Sequence, residues 1–548
     1  MSEPLSLGLD LSTQQLKSLL INERAVVVYD LAVGYDRDLP QYGTTNGAIY
    51  GPAAGHVTSP VAMWVQALDL ILQRMKDAGV DFSRIRAVSG AGQQHGSVYW
   101  STTAEDSLAS LDPSKTLLSQ LVPNAFSIHS SPIWQDSSTT RECRNLEDII
   151  GGPQALADLT GSRAYERFTG AQIKKIRTER PDEYVKTARI SLVSSFLPSL
   201  FLGSIAPIEV SDASGMNLMD IAHCRWDERL LRACGGTELK AKIGPEPVLG
   251  GTVLGKVSSW WVKRWGFHPD CLVTSFTGDN PATMVALSTP GDAVLSLGTS
   301  TTLLLAIPPS DTPPARFTTS HLLAHPTTAG AHIAMLCYKN GSLAREKVRN
   351  EYASGDWARF NELVAARTPG NEGYWGLYFP LPEIIPPNVI GNFYFKSEDG
   401  LTAPTPVEKL PDRAHPRAIV ESQLLSIRAR VAAILQQDTP HLRRLVLTGG
   451  ASTNPIIRQL FADLFGIPVY VPEDTSEAAA TGGALLARYA WRRSNGGFGG
   501  TFEEMRAGDA DRMKLVAQPD KEITKVYDRL VEAYTLCEDF VVKACDKA

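Results

Sequence analysis

An acid and an amide stand side by side in Thr277-Gly278-Asp279-Asn280-Pro281, directly after the apolar run at 271–276. The run reads as a buried strand that delivers a carboxylate and an amide onto a loop, since glycine permits the turn and Pro281 can open a helix. A second apolar run, 293–297, meets Gly298-Thr299-Ser300-Thr301-Thr302 and continues as apolar sequence to Ile307. That pattern predicts a hairpin whose tip is glycine and small hydroxyls, which lets backbone N–H groups approach a phosphate closely. The start of the chain repeats the plan. Leu5-Ser-Leu-Gly-Leu-Asp10 leads through Ser12-Thr13-Gln14-Gln15 into Leu16-Lys17-Ser-Leu-Leu-Ile21. Ser/Thr turns are common, so either stretch alone reads equally as an ordinary hairpin. As a pair, half a chain apart, they favour two phosphate-facing tips in a duplicated α/β architecture with a nucleotide between its halves.

Two more stretches carry polar groups at strand ends. Gly90-Ala-Gly92-Gln93-Gln94-His95-Gly96 follows a short strand at 85–89, at the carboxyl end where α/β folds bind ligands. Its amides and imidazole suit a neutral sugar, because each desolvated hydroxyl must be hydrogen-bonded. The plainer alternative is a loop whose histidine caps a neighbouring backbone group. Thr448-Gly449-Gly450-Ala451-Ser452-Thr453-Asn454-Pro455 joins a strand to a helix start with exposed backbone amides, an electropositive end. Adjacent glycines there let a flat adenine or ribose lie against the main chain. No G-x-x-x-x-G-K-[ST] loop or dinucleotide fingerprint is present.

The intervening sequence supplies scaffold. Ser59-Pro60 opens an amphipathic helix at 61–78, and further helices are expected at 139–150, 343–352, 417–436 and 521–547. The small-residue stretch 473–487 reads as a tightly packed structural helix. Asp136 reads as an acid near a helix start, and Arg163 and Arg167 lie in a glycine-bounded polar segment, 161–170. The proline-bearing stretches 308–314 and 396–416 read as exposed connectors.

Bulk properties narrow the class. A chain of 548 residues exceeds what one core organises, so two domains are expected. The hydrophobic fraction of 43% and charged fraction of 20% are those of a globular protein. A net charge of -6 argues against a nucleic-acid binder with a basic face. Seven scattered cysteines without a C-x-x-C pair support neither a disulfide framework nor a zinc ribbon and fit a reducing, cytoplasmic setting. The acidic start runs straight into a strand, so no secretory peptide is expected, and the most apolar stretch, 190–208, is interrupted by serines and prolines, against a membrane span.

Taken in order, the motifs GLDLSTQQLK, GAGQQHGS, WQDSSTT, TGSRAYERFTG, FTGDNPA, SLGTS, KNGSL and TGGAS resemble the FGGY carbohydrate kinases of the actin-like ATPase fold. Within that family the likeness is strongest to eukaryotic members acting on D-xylulose, and it spans residues 5 to about 486. It implies an α/β, two-lobed, ribonuclease H-like architecture: duplicated mixed sheets flanked by helices, with nucleotide and sugar in the inter-domain cleft. The implied N-terminal domain is 1–288, carrying the sugar site and first phosphate hairpin, and the C-terminal domain is 289–548, carrying the second hairpin and adenosine site. The implied reaction is ATP-dependent phosphorylation of D-xylulose at its 5-hydroxyl. His95, Arg167, Asp279 and Asn280 match the sugar-binding set, with Asp279 as general base. Asp10, Thr13 and Lys17 match the first phosphate hairpin, and Gly298 and Thr299 the second. Gly449, Gly450 and Asn454 match the adenosine site, with Trp357 beside the nucleotide. The sequence departs from many bacterial members in having Trp134-Gln135-Asp136-Ser137-Ser138 where they carry Trp-x-Asp-x-Arg, so substrate contacts near Asp136 do not transfer; contact by Arg163 stays equally open.

Phosphoryl transfer is mostly positioning and charge stabilisation, and a base must lie within reach of the attacking hydroxyl. Asp10 with the triphosphate would hold Mg²⁺, largely through water, as a hard cation prefers oxygen ligands. The expected partners are ATP and D-xylulose, with no nucleic acid or membrane, the chain acting as monomer or homodimer. Three rivals remain: another FGGY kinase acting on ribulose, glycerol or a similar polyol; a non-catalytic actin-like nucleotide-binding protein, which has no need of Asp279-Asn280 beside His95 and Arg167; and a sugar-binding regulator that transfers nothing.

Overall fold

A computed structural model of the chain describes residues 3–289, 291–310, 314–398, 403–435, 442–473, 477–509 and 512–545. The chain divides into two compact units, one built from 1–287, 322–333 and 476–510, the other from 288–321, 334–475 and 511–548.

The first unit is organised by a mixed sheet of β1 (Leu5–Leu11), β2 (Gln15–Ile21), β3 (Val27–Gly34), β4 (Ile85–Gly92), β5 (Val253–Lys256), β6 (Leu272–Thr274) and β7 (Thr277–Gly278). Its order is β5-β6-β4-β1-β2-β3, with β7 also pairing β4. β1 and β2 form the expected hairpin, placing Asp10 opposite Lys17, and β1 runs parallel to β4. Side-chain alternation along a strand decides what each face receives. Leu5, Leu7, Leu9 and Leu11 join the core that also holds Met63, Trp64 and Leu68 of the helix Val61–Asp77. Ser6, Gly8 and Asp10 therefore point to the opposite face, which the helix Ala478–Ser494 covers. This is the tightly packed helix expected from the small-residue run at 473–487, of which 474–476 lie outside the described residues. A Cβ at Gly8 would come 2.1 Å from the Ala480 carbonyl oxygen, and one at Gly483 would come 2.4 Å from the Cα of Gly90. Backbone meets backbone, and nothing larger fits.

That packing explains why 476–510 belongs to the first unit. The segment 322–333 is tied there by main-chain bonds: Leu322 N–H donates to the Gly161 carbonyl at 2.8 Å, and Gly250 N–H to the Pro326 carbonyl at 2.7 Å.

The second unit contains a sheet with β8 (Asp292–Leu297), β9 (Thr301–Ile307), β10 (His332–Tyr338), β11 (Arg444–Thr448), β12 (Val469–Pro472) and β13 (Met513–Ala517) in the order β10-β9-β8-β11-β12-β13. β8 and β9 form the second expected hairpin, and β8 runs parallel to β11. Hairpin plus parallel neighbour recurs in both units, as the repeated sequence plan requires. β8 and β9 are buried almost throughout, which accounts for their unbroken apolar runs.

The expected helices appear as Thr140–Ile150, Ser342–Tyr352, His415–Ile434 and Lys521–Cys545; residues 436 and 546–547 of the predicted spans lie outside the described residues. Of the two expected connectors, 311–313 and 399–402 also lie outside them, and the second stretch contains a strand, Thr405–Val407, paired in a small sheet. Among the described residues no helix is long and apolar enough to cross a membrane. No disulfide joins the seven cysteines.

Candidate active site

In the first unit, three parallel strands end side by side. Asp10 of β1 and Thr277 of β7 both register against Ala91 of β4, so Asp10, the Gln93-Gln94-His95 loop and Asp279 leave the sheet at one edge. Asp279 opens the helix Asp279–Leu287, as Pro281 predicts.

Asp10 is buried. Its Oδ2 accepts from the Ser12 hydroxyl and faces Lys17 Nζ at 3.8 Å, whereas Oδ1 has no hydrogen-bond partner among the described residues. Burial raises its carboxyl above the ordinary range, against the pull of Lys17 and Ser12. Lys17 also pairs with Glu477, the residue preceding the Ala478–Ser494 helix. Thr13 at the tip accepts from the Trp134 indole N–H at 2.8 Å and lies 3.4 Å from Gln93 Oε1.

His95 is buried, in the left-handed region at φ 71°, and stacks on Phe168 with ring centroids 4.6 Å apart. Its Nδ1 lies 2.9 Å from the Gly215 carbonyl oxygen. A carbonyl only accepts, so Nδ1 carries the proton and Nε2 is left as an acceptor. Burial, then the Arg167 charge, lowers its pKa to about 3, so the ring is neutral near pH 7. The capping alternative is thus correct for one nitrogen and leaves the other for a ligand. Arg167 packs its guanidinium over Tyr165 at 4.8 Å and Phe168 at 5.5 Å, on the same aromatic platform as His95.

Asp279 is half-buried by accessible surface yet closely surrounded by protein. That surrounding, then the Asp10 and Asp212 charges, pushes its carboxyl up to about 7. Asn280 donates to Asp279 Oδ1 from its backbone N at 2.9 Å and from Nδ2 at 3.2 Å, and Nδ2 also reaches Gln94 Oε1 at 2.9 Å.

Behind these residues lie two acids that sequence reasoning did not single out. Asp212 accepts from Ser194 Oγ at 2.5 Å and from Gln94 Nε2 at 3.5 Å. Glu209 accepts from Thr277 Oγ1 at 2.6 Å and from the Asp212 backbone at 3.0 Å. Burial pushes each up to about 7, and the Glu209 charge adds to the shift at Asp212. The available signal was their spacing of three in a loop of small residues, which without the fold reads as a helix cap. Glu209 is indeed the cap of the helix Val210–Ala213.

Asp136 and Arg163 are committed elsewhere. Asp136 accepts from Val57 N, Ser138 N, Ser138 Oγ and Gln172 Nε2 at 2.5–3.0 Å. Arg163 makes a two-pronged pair with Glu147 at 3.0 and 3.1 Å. Both hold the loops around Arg167.

In the second unit the tip residues Gly298 and Thr299 accept from the backbone N–H of Ser342 and Leu343 at 3.1 and 3.4 Å. Gly449 follows β11 at φ 81°, and a Cβ there would meet the Leu297 backbone at 2.9 Å; a Cβ at Gly450 would meet nothing within 4 Å. One glycine is demanded by the turn, and the other leaves open space of the kind a flat ring needs. Asn454 caps the helix Pro455–Phe465, accepting from Ile456 N and Ile457 N, and its Nδ2 donates to Asn361 Oδ1 at 2.8 Å. Asn361 lies one turn after Trp357 on the helix Trp357–Ala365, so the two share a face and Trp357 is brought towards Asn454. Arg349 stacks over the Trp357 ring at 4.7 Å.

Among the described residues no cluster of three or more His, Cys, Asp or Glu side chains could enclose a metal ion. The unpartnered Oδ1 of Asp10 is nevertheless an oxygen acceptor without a proton donor, which fits a cation held by one carboxylate, water and a ligand's oxygens.

Residues 124–286 match the N-terminal domain model of the FGGY family of carbohydrate kinases, and residues 293–491 the C-terminal one. The chain is 44% identical over 537 residues to the xylulose kinase of Rattus norvegicus, covering 98% of this chain and 97% of that protein. It is likewise 44% identical to a probable D-xylulose kinase A of Aspergillus terreus, covering 98% and 97%. In structure it resembles a xyloylose kinase from Brucella ovis, with a TM-score of 0.77, 19% identity and coverage of 99% and 100%. That likeness carries the fold: two α/β units of the actin-like type found in sugar kinases.

Proposed function

Because the chain belongs to the FGGY family of carbohydrate kinases, we propose that it transfers the γ-phosphoryl group of ATP to the 5-hydroxyl of D-xylulose, giving D-xylulose 5-phosphate and ADP. The observation that carries this reading is that Asp279 leaves the sheet at the same edge as the Gln93-Gln94-His95 loop and is tied to that loop through Asn280, its carboxyl raised by burial. The full-length relatives named xylulose kinase support the choice of sugar.

In this reading Asp279 takes the proton of the 5-hydroxyl as its oxygen forms a bond to the γ-phosphorus and the bridging bond to ADP breaks. A base with a pKa near the working pH is efficient because enough of it is deprotonated while it still binds the proton well. His95 Nε2 accepts from a sugar hydroxyl, Asn280 Oδ1 offers a second acceptor because its N–H groups are held by Asp279 and Gln94, and Arg167 supplies donors to others. Thr13 and Lys17, with Gly298 and Thr299, face the phosphates. Gly449, Gly450, Asn454 and Trp357 receive adenosine. Asp10 is the residue that would hold Mg²⁺, and that ion supplies charge neutralisation on the phosphate oxygens. The sugar and first phosphate hairpin fall to the first domain and adenosine to the second, in a cytoplasmic enzyme acting as monomer or homodimer.

The test is ADP release from purified protein with ATP, Mg²⁺ and, in turn, D-xylulose, D-ribulose, L-ribulose and glycerol. D-xylulose giving the highest kcat/KM supports the reading. ADP release that needs no sugar, or that favours another acceptor, sinks it.

A further inference from the structure

Asp279 is the end of a hydrogen-bonded ladder that runs back into the first unit. Asn280 donates twice to Asp279 Oδ1; Gln94 Oε1 accepts from Asn280 Nδ2; Gln94 Nε2 donates to Asp212 Oδ1; and Ser194 Oγ donates to Asp212 Oδ2. The crossing from Gln94 to Asp212 depends on Gly278, since a Cβ there would come 2.6 Å from Gln94 Cγ and 2.8 Å from Asp212 Oδ1. Gln94, Asp212 and Ser194 are all buried, so water does not readily substitute for a lost partner.

The polarity of this ladder is what matters. A glutamine amide can be turned over, exchanging its donor and acceptor. Between an amine on one side and the ionised Asp212 carboxylate on the other, its form above about pH 7, only one orientation satisfies both ends, so the ladder is to be tested at pH 8. Asp212 therefore dictates which end of Gln94 faces Asn280. Asn280, with its amine engaged by Gln94, is fixed against the carboxylate it presents to the sugar.

We propose that Asp212 is a positioning residue for phosphoryl transfer, setting the Gln94 amide and through it the Asn280–Asp279 pair. This rests on the reading of Asp279 as the base. Asp212 itself touches no reacting atom.

The consequence is a polarity rule that can be inverted. Asp212→Asn keeps the shape, but its carbonyl is drawn to the Ser194 hydroxyl, leaving an amine against Gln94 Nε2. Gln94→Glu places a carboxylate against Asp212. Combined, the two substitutions restore every donor–acceptor match: the new carboxylate at 94 accepts from the new amine at 212 and from Asn280 Nδ2. The net charge is that of the parent.

The experiment measures kcat and KM for D-xylulose in the parent, both single variants, the double variant and Asp279→Asn, with melting curves for each. Each single variant is expected to lose about 10- to 100-fold in kcat with KM for the sugar within about threefold, and the double variant to recover to within about fivefold of the parent. A purely packing role predicts losses that add in the double variant. A double variant no better than the worse single one, or Asp212→Asn within about twofold of the parent, overturns the proposal. Should a single variant fail to fold, the double variant decides. Folded and active, it supports the ladder; inactive or unfolded, it refutes it, since the swap conserves shape, charge and bonding. Near-normal turnover in Asp279→Asn would remove the base reading whatever happens at 94 and 212. If that variant is inactive and the swap gives no rescue, only the positioning proposal falls.

Discussion

Asp10 and Lys17 face each other across the first hairpin, and Ser296 and Thr302 occupy the same cross-strand place, one pair back from the tip, in the second. The parallel neighbour differs in the same sense. β4 continues into the polar Gln93-Gln94-His95, whereas β11 continues into Gly449-Gly450. One backbone plan therefore carries two kinds of chemistry. The first unit concentrates charge: Asp10, Asp279, Asp212 and Glu209 influence one another's ionisation. The second offers neutral hydroxyls, backbone amides and bare glycine. Proton transfer needs a perturbed acid, while holding a polyphosphate and a flat base needs close backbone approach. In the proposed reading both hairpins face phosphate, and the changes of side chain at fixed positions add the acid chemistry to the first unit alone.

The sharpest way to break this contrast is Asp279→Asn, which is expected to lower kcat by about 10³-fold or more while calorimetric sugar affinity changes by less than about tenfold. Near-normal turnover would move the acid chemistry elsewhere. Next is the matched pair Asp10→Asn and Ser296→Ala. The first is expected to cost about 10²-fold in kcat and to weaken the dependence on Mg²⁺, the second to leave kcat and KM for ATP within about threefold. Equal effects would erase the distinction between the hairpins.

The pH dependence sharpens the comparison further. With Asp279 raised to about 7, kcat/KM should fall about tenfold for each pH unit below that value, as the protonated acid cannot accept the sugar's proton. Stability should run the other way. Glu209, Asp212 and Asp279 have folded pKa values above their unfolded ones, so between about pH 4 and 7 the native state binds more protons. Their contribution is complete at the acid end and is lost as pH rises through about 7. Denaturant melts at pH 5 to 8 should show it, and Glu209→Gln should flatten the slope; an unchanged slope would contradict the shift. Gly449→Ala in the second unit is expected to act on stability more than on turnover. Its positive φ and the 2.9 Å contact with Leu297 should cost about 1–3 kcal/mol of stability, with kcat reduced less than by any acid substitution above.

Local signals explain what could be read before the fold. The two hairpins announce themselves by apolar runs around small polar tips, Pro281 marks the helix that Asp279 opens, and Asn454-Pro455 marks another. The strand expected to end at Ser89 continues to Gly92, because Gly90 and Gly92 serve as flat surfaces for Gly483 and Ser194 rather than as breakers. Asp212 and Glu209 were invisible as site acids because their partners, Gln94 and Thr277, are 118 and 68 residues away. Arg163 and Arg167 look alike in sequence, and only the distant Glu147 separates a structural arginine from one beside His95.

The helix Ala478–Ser494 covers β1 and β4, meeting Gly8 at the Ala480 carbonyl and Gly90 at Gly483. During synthesis, the ribosome must therefore have made some 490 residues before the earliest strands meet their final cover. Nascent chains short of that point leave Gly8 and Gly90 as an open groove, so a fragment stopped at residue 288 should be prone to proteolysis and aggregation.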